Sequence, residues 1–524
     1  MRCSPIQIYR YICTPLMNRC APPLMNRCAP QKVVERLAIA DHQPSPIVVN
    51  GLIFQMMDKE LVIQGHRQHQ FICYQLPFFN SEQNLAKRLH QLLTRPCVVD
   101  KSRVQAWIDK FTQATGMGLS SGQRQAVEMA ASERVLILAG GPGTGKTFTT
   151  RTIVALWKAM GKSIALASPT GRAAQRLSEM TSCEAKTIHR LLEFDPKTMK
   201  FKREVDNPLE AKAIVVDESS MLDLFLANSL LKAIPTDAQL LLLGDIDQLP
   251  SVEPGNVLRD LIASEQVPVV RLSQVFRQAQ ASAIVSNAYC INSGHYPSLE
   301  SVSLSPRSDC LWLNAPEPEH GVQSIRELLT DVVPQLGFDA VRDVQVLCPM
   351  TRGEVGTRNL NAVLQELLNP PSQGKAELFR GGMKLRVGDR VIQQVNDYNR
   401  EVFNGDLGAI AAIDIEEQEV TVQFEGRSVT YDYADINALA LAWSVTIHKS
   451  QGSEYPVVIL PIFMQHYLML SRNLIYTGLT RAKKLAIVVG TTKAIGLAVK
   501  QVKDQERYTY LQERLRLMSL ANNG

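Results

Sequence analysis

The sequence has no closely spaced cysteine pair and no long apolar run. Its ten cysteines are scattered over 524 residues without a C-x-x-C spacing, which argues against a zinc or iron–sulfur site. The most apolar run, residues 457–463, has the length of a strand and falls short of the ~20 residues that a membrane-spanning helix needs. We therefore expect a cytoplasmic protein with no membrane partner and about three or four domains.

The chain also lacks a strong excess of charge where its motifs lie. The net charge is +5, but residues 1–30 carry four arginines and no acid, and residues 31–115 carry ten basic and seven acidic residues. By subtraction, residues 116–524 have 42 basic and 44 acidic residues, a net charge of −2. Bulk charge is therefore no argument for nucleic-acid binding, and local motifs must supply one.

The first 115 residues contain few functional signals. The octapeptide PLMNRCAP occurs twice in succession, at residues 15–22 and 23–30. A duplicated, proline-containing stretch of this kind does not build a packed element, so we expect residues 1–30 to be disordered. Residues 31–115 predict a short N-terminal accessory domain with an amphipathic helix at residues 81–94.

A complete phosphate-loop motif follows. Residues 134–150 read RVLILAGGPGTGKTFTT, an apolar strand, a glycine-rich loop and the start of a helix. This is the G-x-x-x-x-G-K-[ST] pattern of nucleoside triphosphatases, in which backbone N–H groups and the helix N-terminus surround the phosphates. The lysine reaches the β- and γ-phosphates, and the threonine hydroxyl is a ligand of Mg²⁺. The expected ATP-binding residues are Gly141, Pro142, Gly143, Thr144, Gly145, Lys146 and Thr147.

Polar residues follow two later apolar strands. Residues 213–216 lead to Asp217 and Glu218, and residues 239–243 lead to a loop that contains Gln248. Because an open α/β sheet presents its ligands at the carboxyl ends of its strands, Asp217 is expected to hold Mg²⁺ through water, with Glu218 as the base for the attacking water. Two solvated loop acids would be the alternative, and it fits poorly beside a complete phosphate loop.

Two further stretches predict small β elements. Residues 193–210 are polar, with KTMKFKRE at their centre, and predict either a β-hairpin on the domain surface or a plain loop. Residues 384–435 change character, since they consist of short alternating strands and glycine turns without a helical pattern. This second stretch is expected to be an insertion in the second half of the chain.

The motifs occur in a fixed order along the chain. They are LSSGQRQAV (119–127), GGPGTGKT (140–147), ASPTGRAA (167–174), TIHRLL (187–192), VVDESSML (215–222), GDIDQLPS (244–251), LSQVFRQ (272–278), TIHKSQGSE (446–454) and YTGLTRAKK (476–484). As an ordered set they resemble the superfamily 1 DNA helicases. The resemblance is closest to the RecD type, the helicase α subunit of exodeoxyribonuclease V and its stand-alone relatives, and it spans residues 116–515.

The resemblance implies an α/β fold with two RecA-like P-loop domains and ATP with Mg²⁺ in the cleft between them. The first domain would cover residues 116–270, including the candidate hairpin at 193–210. The second would cover residues 271–383 and 436–515. Residues 384–435 would form a small SH3-like β-barrel insertion.

The resemblance also assigns individual residues. Gln123 matches the adenine-reading glutamine, and Gln248 matches the γ-phosphate sensor. Lys146, Thr147, Asp217 and Glu218 keep the roles already expected of them. The second domain would offer two arginines to the γ-phosphate, Arg277 and Arg481. The single-strand channel would be lined by Pro169, Thr170, His189, Thr446, His448 and Lys449, with Tyr398 of the insertion as a further candidate DNA contact.

The implied function is an ATP-dependent DNA helicase that moves 5′ to 3′ on single-stranded DNA, acts at duplex junctions and serves DNA repair or recombination. An RNA-directed helicase and a non-motor ATP-binding scaffold are the alternatives. The helix-hairpin-helix extension of the stand-alone enzymes is not found, so residues 31–115 are more like the shorter domain of the nuclease-complex subunit. The resemblance leaves two assembly states open: the protein acts alone, or it has the nuclease and helicase subunits of an exodeoxyribonuclease V-like complex as partners.

Overall fold

The structure is a computed structural model that describes residues 62–67, 70–276, 280–502, 507 and 509–522. The predictions for residues 1–30, for residues 31–61 and for Arg277 lie outside the described residues. No helix in the described ranges is both long enough and apolar enough to cross a membrane.

The N-terminal part consists of a hairpin and two helices. Strands β1 (Val62–Arg67) and β2 (Gln70–Gln75) pair antiparallel, and helices α1 (Leu76–Leu93) and α2 (Lys101–Thr115) follow. Helix α1 covers residues 81–93 of the predicted amphipathic helix but begins at Leu76 rather than Ser81, since a proline such as Pro77 is well tolerated in the first turn. Its Leu85, Leu89 and Leu92 are buried on one face.

The first large sheet is parallel and carries the phosphate loop. The elements of this part are α3 (Ser121–Ser132), β3 (Val135–Gly140), α4 (Lys146–Ala159), β4 (Ile164–Ser168), α5 (Gly171–Thr181), β5 (Ala185–Thr187), α6 (Ile188–Leu191), β6 (Phe194–Asp195), β7 (Lys200–Phe201), β8 (Ala213–Val216), α7 (Leu224–Ala233), β9 (Gln239–Gly244), α8 (Val257–Ser264) and β10 (Val269–Leu272). The strands of the sheet have the order β10-β3-β9-β8-β4-β5, and β3, β8 and β9 are almost wholly buried, which their apolar sequences require. Because β3, β9 and β8 are neighbours, the segments that follow them meet at one sheet edge.

Strands β6 and β7 form a separate antiparallel hairpin within residues 193–210. Phe194 pairs with Phe201, and Asp195 pairs with Lys200. The side chain of Asp195 accepts a hydrogen bond from the backbone N–H of Lys197, which closes the turn. We call this hairpin, residues 194–201, the pin.

The second half begins with α9 (Ala283–Asn292), β11 (Glu300–Ser301), β12 (Cys310–Asn314) and α10 (Pro318–Glu327), which continues through a π-helical turn into α11 (Val333–Gln335). Strand β13 (Val344–Cys348) and helix α12 (Thr357–Leu368) lead to the predicted insertion.

The insertion consists of seven short strands. They are β14 (Glu377–Arg380), β15 (Met383–Arg386), β16 (Arg390–Gln393), β17 (Leu407–Asp414), β18 (Glu419–Phe424), β19 (Arg427–Asp432) and β20 (Leu439–Leu441). Five of them form an antiparallel sheet of order β19-β18-β17-β16-β20, and β14 and β15 form a short hairpin ahead of it. The buried side chains of the insertion include Val391, Ile410, Val422 and Tyr431. The sheet extends past the predicted boundary at residue 435, because β20 pairs with β16.

The chain then completes a second parallel sheet. The remaining elements are β21 (Ser444–Thr446), β22 (Tyr455–Ile462), α13 (Arg472–Leu479), β23 (Ala482–Gly490), α14 (Thr492–Lys500) and α15 (Leu511–Asn522). The strand order of this sheet is β11-β12-β23-β22-β13-β21. Helix α15 does not pack on this sheet, since its Leu511 and Leu515 are buried in the same core as Leu85 and Leu261. The predicted second-domain range, 436–515, therefore ends inside a helix that packs against the first domain. The predicted fold class, two parallel α/β domains with a small β insertion, is confirmed.

Candidate nucleotide and DNA site

The phosphate loop joins β3 to α4 and depends on its glycines. Gly143 and Gly145 have φ values of +72° and +79°, in the region that glycine adopts without strain. A Cβ on Gly145 would lie 2.5 Å from Gln123 Nε2 and 2.8 Å from a ring carbon of Phe276, so this position has no room for a side chain. The ammonium group of Lys146 donates to the carbonyl oxygens of Gly140 and Gly141. The lysine therefore lies along the inner face of the loop.

Gln123 lies beside the loop, and its side-chain amide forms a hydrogen bond through its oxygen but not through its nitrogen. It forms a capping box with Ser120, in which each side chain bonds the other's backbone N–H. The residue is 1% exposed, and its Nε2 has no hydrogen-bond partner among the described residues. A buried donor without a partner is costly, and a purine ring nitrogen would satisfy it. This position fits the predicted adenine-reading role.

Asp217 and Glu218 follow β8 at the same sheet edge. Burial raises the pKa of Asp217 to about 6, the charge of Glu218 adds to the rise, and the charges of Lys146 and Arg176 oppose it. The carboxylate accepts a 2.8 Å hydrogen bond from the backbone N–H of Glu218. Glu218 itself has a left-handed backbone, with φ of +51°, a strained conformation of a kind that clusters at functional sites.

The residues at this edge fit Mg²⁺. The Thr147 hydroxyl and the Asp217 carboxylate are oxygen donors, which Mg²⁺ prefers, and a divalent cation would offset the desolvation of Asp217. Within the described ranges no group of three or more His, Cys, Asp or Glu side chains could hold a metal. The usual Mg²⁺ site of nucleotide enzymes has only one or two carboxylates, which act together with phosphates and water.

Arg481 reaches this edge from the second domain. It is 3% exposed, and its guanidinium donates to the carbonyl oxygens of Thr477 at 3.1 Å and Ser453 at 3.3 Å. Its Nη1 lies 3.9 Å from Glu218 Oε1. Glu218, the predicted base for the attacking water, and Arg481, predicted to act on the γ-phosphate, therefore lie side by side.

Gln248 lies in a loop that is fastened to the second domain. Its side chain is 3.5 Å from Asp245 Oδ2, and its Oε1 has no partner in the described part of the chain. Its carbonyl accepts from Asn473, and the N–H of Leu249 donates to Thr477 Oγ1 at 2.8 Å. Movement of α13 would therefore be transmitted to this loop.

Two tyrosines that the sequence reasoning missed also face the phosphate loop. Tyr476 donates to Asp245 at 2.7 Å, and burial raises its pKa well above the usual value, so it stays a neutral donor. Tyr289 donates to the Pro142 carbonyl at 3.3 Å. A Cβ on Gly141 would lie 2.9 Å from the hydroxyl of Tyr289 and 3.1 Å from the hydroxyl of Tyr476. Tyr476 stands in a motif already singled out, YTGLTRAKK, whereas no sequence pattern marks Tyr289.

The predicted channel residues lie at the carboxyl ends of strands in both sheets. Pro169 and Thr170 follow β4, and the Thr170 side chain caps α5 by accepting from the N–H of Ala173. Thr446 ends β21, and His448 and Lys449 lie in the next turn. Burial lowers the pKa of both His448 and Lys449, and the Lys449 ammonium donates to Gln394 of the insertion.

His189, Tyr398 and the pin form one aromatic cluster. The ring of His189 is 5.6 Å from Phe194 and 5.5 Å from Phe201, and the ring of Tyr398 is 5.3 Å from Phe194. Burial lowers the pKa of His189, so this ring is neutral at pH 7. Tyr398 is also 5.9 Å from Phe403. The insertion therefore contacts the pin directly.

An ion pair and a cavity adjoin this cluster. Arg190 Nη2 and Glu401 Oε1 are 2.8 Å apart, which joins α6 to the insertion. The cavity has a volume of about 280 Å³ and lies between α5 and the insertion, with Arg172, Arg190, Asp406 and Arg427 in its lining. The lining contains four basic and two acidic side chains, and two of the basic ones, Arg190 and Arg427, are paired with Glu401 and Asp406.

Comparison with known proteins agrees with this geometry. Family models match at residues 123–254 (AAA domain), 360–424 (ATP-dependent RecD-like DNA helicase SH3 domain) and 441–489 (UvrD-like helicase C-terminal domain). The RecBCD enzyme subunit RecD of Mycolicibacterium smegmatis is 32% identical over 432 residues, which cover 75% of this chain and 74% of that protein. The chain belongs to the RecD family.

Another RecD-family relative is the ATP-dependent RecD2 DNA helicase of Deinococcus radiodurans, 36% identical over 436 residues. That match covers 83% of this chain and 57% of the relative, so the chain spans little more than half of that protein's length. Among solved structures, Bacteroides Pif1 bound to ssDNA aligns with 78% of this chain and 98% of its own, at 18% identity and a TM-score of 0.44. Pif1 helicase from Candida albicans aligns with 78% and 100%, at 16% identity and a TM-score of 0.44.

Proposed function

We propose that this RecD-family chain is an ATP-dependent DNA helicase that translocates on single-stranded DNA. The observation that carries the proposal is the approach of Arg481 to Glu218 across the cleft, 3.9 Å from Nη1 to Oε1. A scaffold that only bound ATP would need neither a base beside the phosphate loop nor an arginine from the other domain. A motor needs both, because hydrolysis must depend on how closely the domains approach.

Each side chain of the ATP site would have its own role in hydrolysis. Glu218 accepts the proton of the attacking water, and its left-handed backbone holds it beside Asp217. Lys146 and Arg481 stabilise the charge that develops on the γ-phosphate. Bound Mg²⁺, held by Thr147 and Asp217, would neutralise phosphate charge. Gln248 links the same site to α13 through the loop contacts described above.

The DNA path proposed for this chain crosses both domains. Thr170 and His189 on the first domain, and Thr446, His448 and Lys449 on the second, would grip one strand along its backbone. Backbone contacts hold DNA without reading its sequence and weaken as salt rises. DNA that touches both domains can favour the closed cleft, which is what translocation requires.

The pin would separate the strands. Its strands have two residues each, and such a small hairpin is not stable by itself in water. Contacts of Phe194 with Tyr398 and the Arg190–Glu401 pair hold its base against the insertion. A wedge must resist the force of the incoming duplex, and this packing would supply the necessary support.

The proposed polarity is 5′ to 3′. It rests on family membership and on the presence of the pin and the insertion, not on the ATP site, since one cleft can drive movement in either direction. The test uses two partial duplexes that differ only in which end carries the single-stranded tail. ATP-dependent unwinding of the 5′-tailed duplex is expected. Unwinding of the 3′-tailed duplex alone would refute the polarity, and ATP hydrolysis stimulated by RNA but not by DNA would refute the choice of substrate.

We further propose a role in DNA repair or recombination, either alone or with nuclease and helicase subunits. The name of the M. smegmatis relative, RecBCD enzyme subunit RecD, supports the second arrangement. Affinity purification of the tagged chain from its source cell, followed by assay of the eluate for exonuclease activity, distinguishes the two. Nuclease activity that co-elutes with the chain supports a complex, and its absence supports a stand-alone enzyme.

A further inference from the structure

The two domains touch through a short segment that lies between the proposed DNA channel and the ATP site. Residues 452–455, here called the bridge segment, follow the turn that holds His448 and Lys449 and lead into β22. They pack on α5, whose N-cap is Thr170. The inference drawn from this contact rests on the proposed function, because it concerns how that function couples DNA to ATP.

The backbone of the bridge segment lies in close contact with the start of α5. Gly452 has a φ of +75°, and a Cβ there would lie 2.6 Å from Thr170 Oγ1 and 3.1 Å from the Cβ of Ala173. Only glycine permits this approach. The backbone of the second domain therefore rests directly on the helix end that would face DNA.

Two arginines of α5 hold the rest of the segment. Arg176 Nη2 lies 2.7 Å from Glu454 Oε1, and Arg172 lies over the ring of Tyr455 at 5.7 Å. The Arg176 and Glu454 side chains are 41% and 27% exposed, so their pair adds little to the stability of either domain. Lys483 approaches the other oxygen of Glu454 at 3.4 Å, but it belongs to the same domain as Glu454 and does not cross the cleft.

The bridge segment also touches the catalytic arginine. The carbonyl oxygen of Ser453 accepts from Arg481, which in turn lies 3.9 Å from Glu218. A continuous line of contacts thus runs from Thr170 through the bridge segment to the ATP site. Two ionic contacts in this line cross between the domains, Arg176–Glu454 at 2.7 Å and Arg481–Glu218 at 3.9 Å, and the first of them lies outside the ATP site.

We propose that Arg176 and Glu454 are positioning residues that stabilise the closed cleft, so that DNA binding brings Arg481 to Glu218. The pair contributes to the closed state and not to the open one, and it therefore shifts the closing equilibrium. An ion pair of this exposure changes an equilibrium by a factor of about two to five. DNA that contacts both domains supplies closing energy of its own and can compensate for loss of the pair.

The test measures ATP turnover of the full chain against single-stranded DNA concentration, for wild type and for Glu454→Gln, Arg176→Ala and the double variant. Turnover without DNA should fall about two- to five-fold. Saturating DNA should restore part of the lost turnover, so DNA should stimulate the variants by a larger factor than it stimulates wild type. Half-maximal stimulation of the variants should require a higher DNA concentration. The double variant should match the single ones, since either change removes the same pair.

Two controls separate this role from simpler ones. Lys212→Ala breaks a more exposed pair with Asp237, 2.6 Å long, that lies within the first domain, and it should leave the DNA response unchanged. Arg176 also lowers the pKa of Asp217, so Mg²⁺ dependence is measured in parallel. A defect of Arg176→Ala that excess Mg²⁺ cures, with Glu454→Gln at wild-type turnover, would overturn the inference.

The remaining outcomes are equally decisive. If the variants lost the same fraction of ATP turnover at every DNA concentration and also melted at a lower temperature, the pair would have only a structural role. That result would overturn the inference. Wild-type turnover in all variants would overturn it while leaving the helicase proposal intact. Wild-type turnover that DNA does not stimulate at all would instead refute the proposed function.

Discussion

Replacing Asp217 by asparagine should stabilise the nucleotide-free protein while abolishing its ATPase activity. Burial and the neighbouring Glu218 raise the pKa of Asp217 from its usual 3.8 to about 6. Because the folded-state pKa is the higher one, the native protein binds more protons than the unfolded chain between these values. The stability associated with Asp217 is therefore present at low pH and is lost as the pH rises through about 6.

The magnitude follows from the size of that shift. Each pKa unit corresponds to about 1.4 kcal/mol, so two units set an upper limit of roughly 3 kcal/mol at pH 8. Asparagine keeps the oxygen that accepts from the Glu218 N–H but carries no charge. Since the asparagine amide must itself be buried in this site, we expect a smaller gain, on the order of 1 kcal/mol, or a few degrees in melting temperature for a domain of this size.

The assay is thermal unfolding of wild type and Asp217→Asn at pH 5 and pH 8, without nucleotide. The variant should melt higher at pH 8, and the difference should shrink at pH 5. Mg²⁺ with an ATP analogue should then raise the melting temperature of wild type more than that of the variant, because the metal ligand is missing. Asp432→Asn removes an exposed carboxylate of the insertion and serves as the control. A variant that melts at or below wild type at pH 8 would refute the reasoning.

Other substitutions test the proposed roles one at a time. Lys146→Ala should abolish ATP hydrolysis with an unchanged circular dichroism spectrum, and normal turnover by the folded variant would remove the phosphate-binding role. Glu218→Gln should keep nucleotide binding and lose turnover by roughly 10²-fold or more; an unchanged rate would assign the base elsewhere. Arg481→Ala should lower kcat far more than nucleotide affinity, because its contact strengthens in the transition state, and the opposite pattern would place it outside the chemistry. Replacing residues 197–203 with a Gly-Ser turn should spare DNA-stimulated hydrolysis and impair strand separation in an unwinding assay; unchanged unwinding would assign strand separation to another element.

Much of the nucleotide site could be predicted because its chemistry is local in sequence. A phosphate loop needs glycines, a lysine and a hydroxyl at fixed spacing, and an acidic pair after an apolar strand lies at the edge where the ligand binds. Lys146, Asp217, Glu218 and Gln248 stand at that edge in the structure. Their catalytic roles stay predictions, whereas the α/β fold that positions them is confirmed.

Contacts made between domains could not be predicted in this way. The hydroxyls of Tyr289 and Tyr476 approach Gly141 from more than a hundred residues away, and no local pattern links them to the loop. Helix α15 is another example, since its apolar residues would suit either domain, and only the packing of Leu511 and Leu515 beside Leu85 decides between them. Sequence periodicity shows that a face is buried but not which surface covers it.

The pin and the insertion are best understood as one device, although the sequence presents them as unrelated stretches about 200 residues apart. The two cross-strand residue pairs of the pin are too few to keep it rigid against an incoming duplex. Its rigidity therefore has to come from the elements on which it packs. That support is the loop bearing Tyr398 and Glu401, and Lys449 of the proposed channel donates to Gln394 at the base of the same loop. DNA that moves the second domain would therefore also move the support of the pin. Strand separation and cleft closure would then be coupled through the insertion, and a change at Glu401 should impair unwinding more than it impairs ATP hydrolysis.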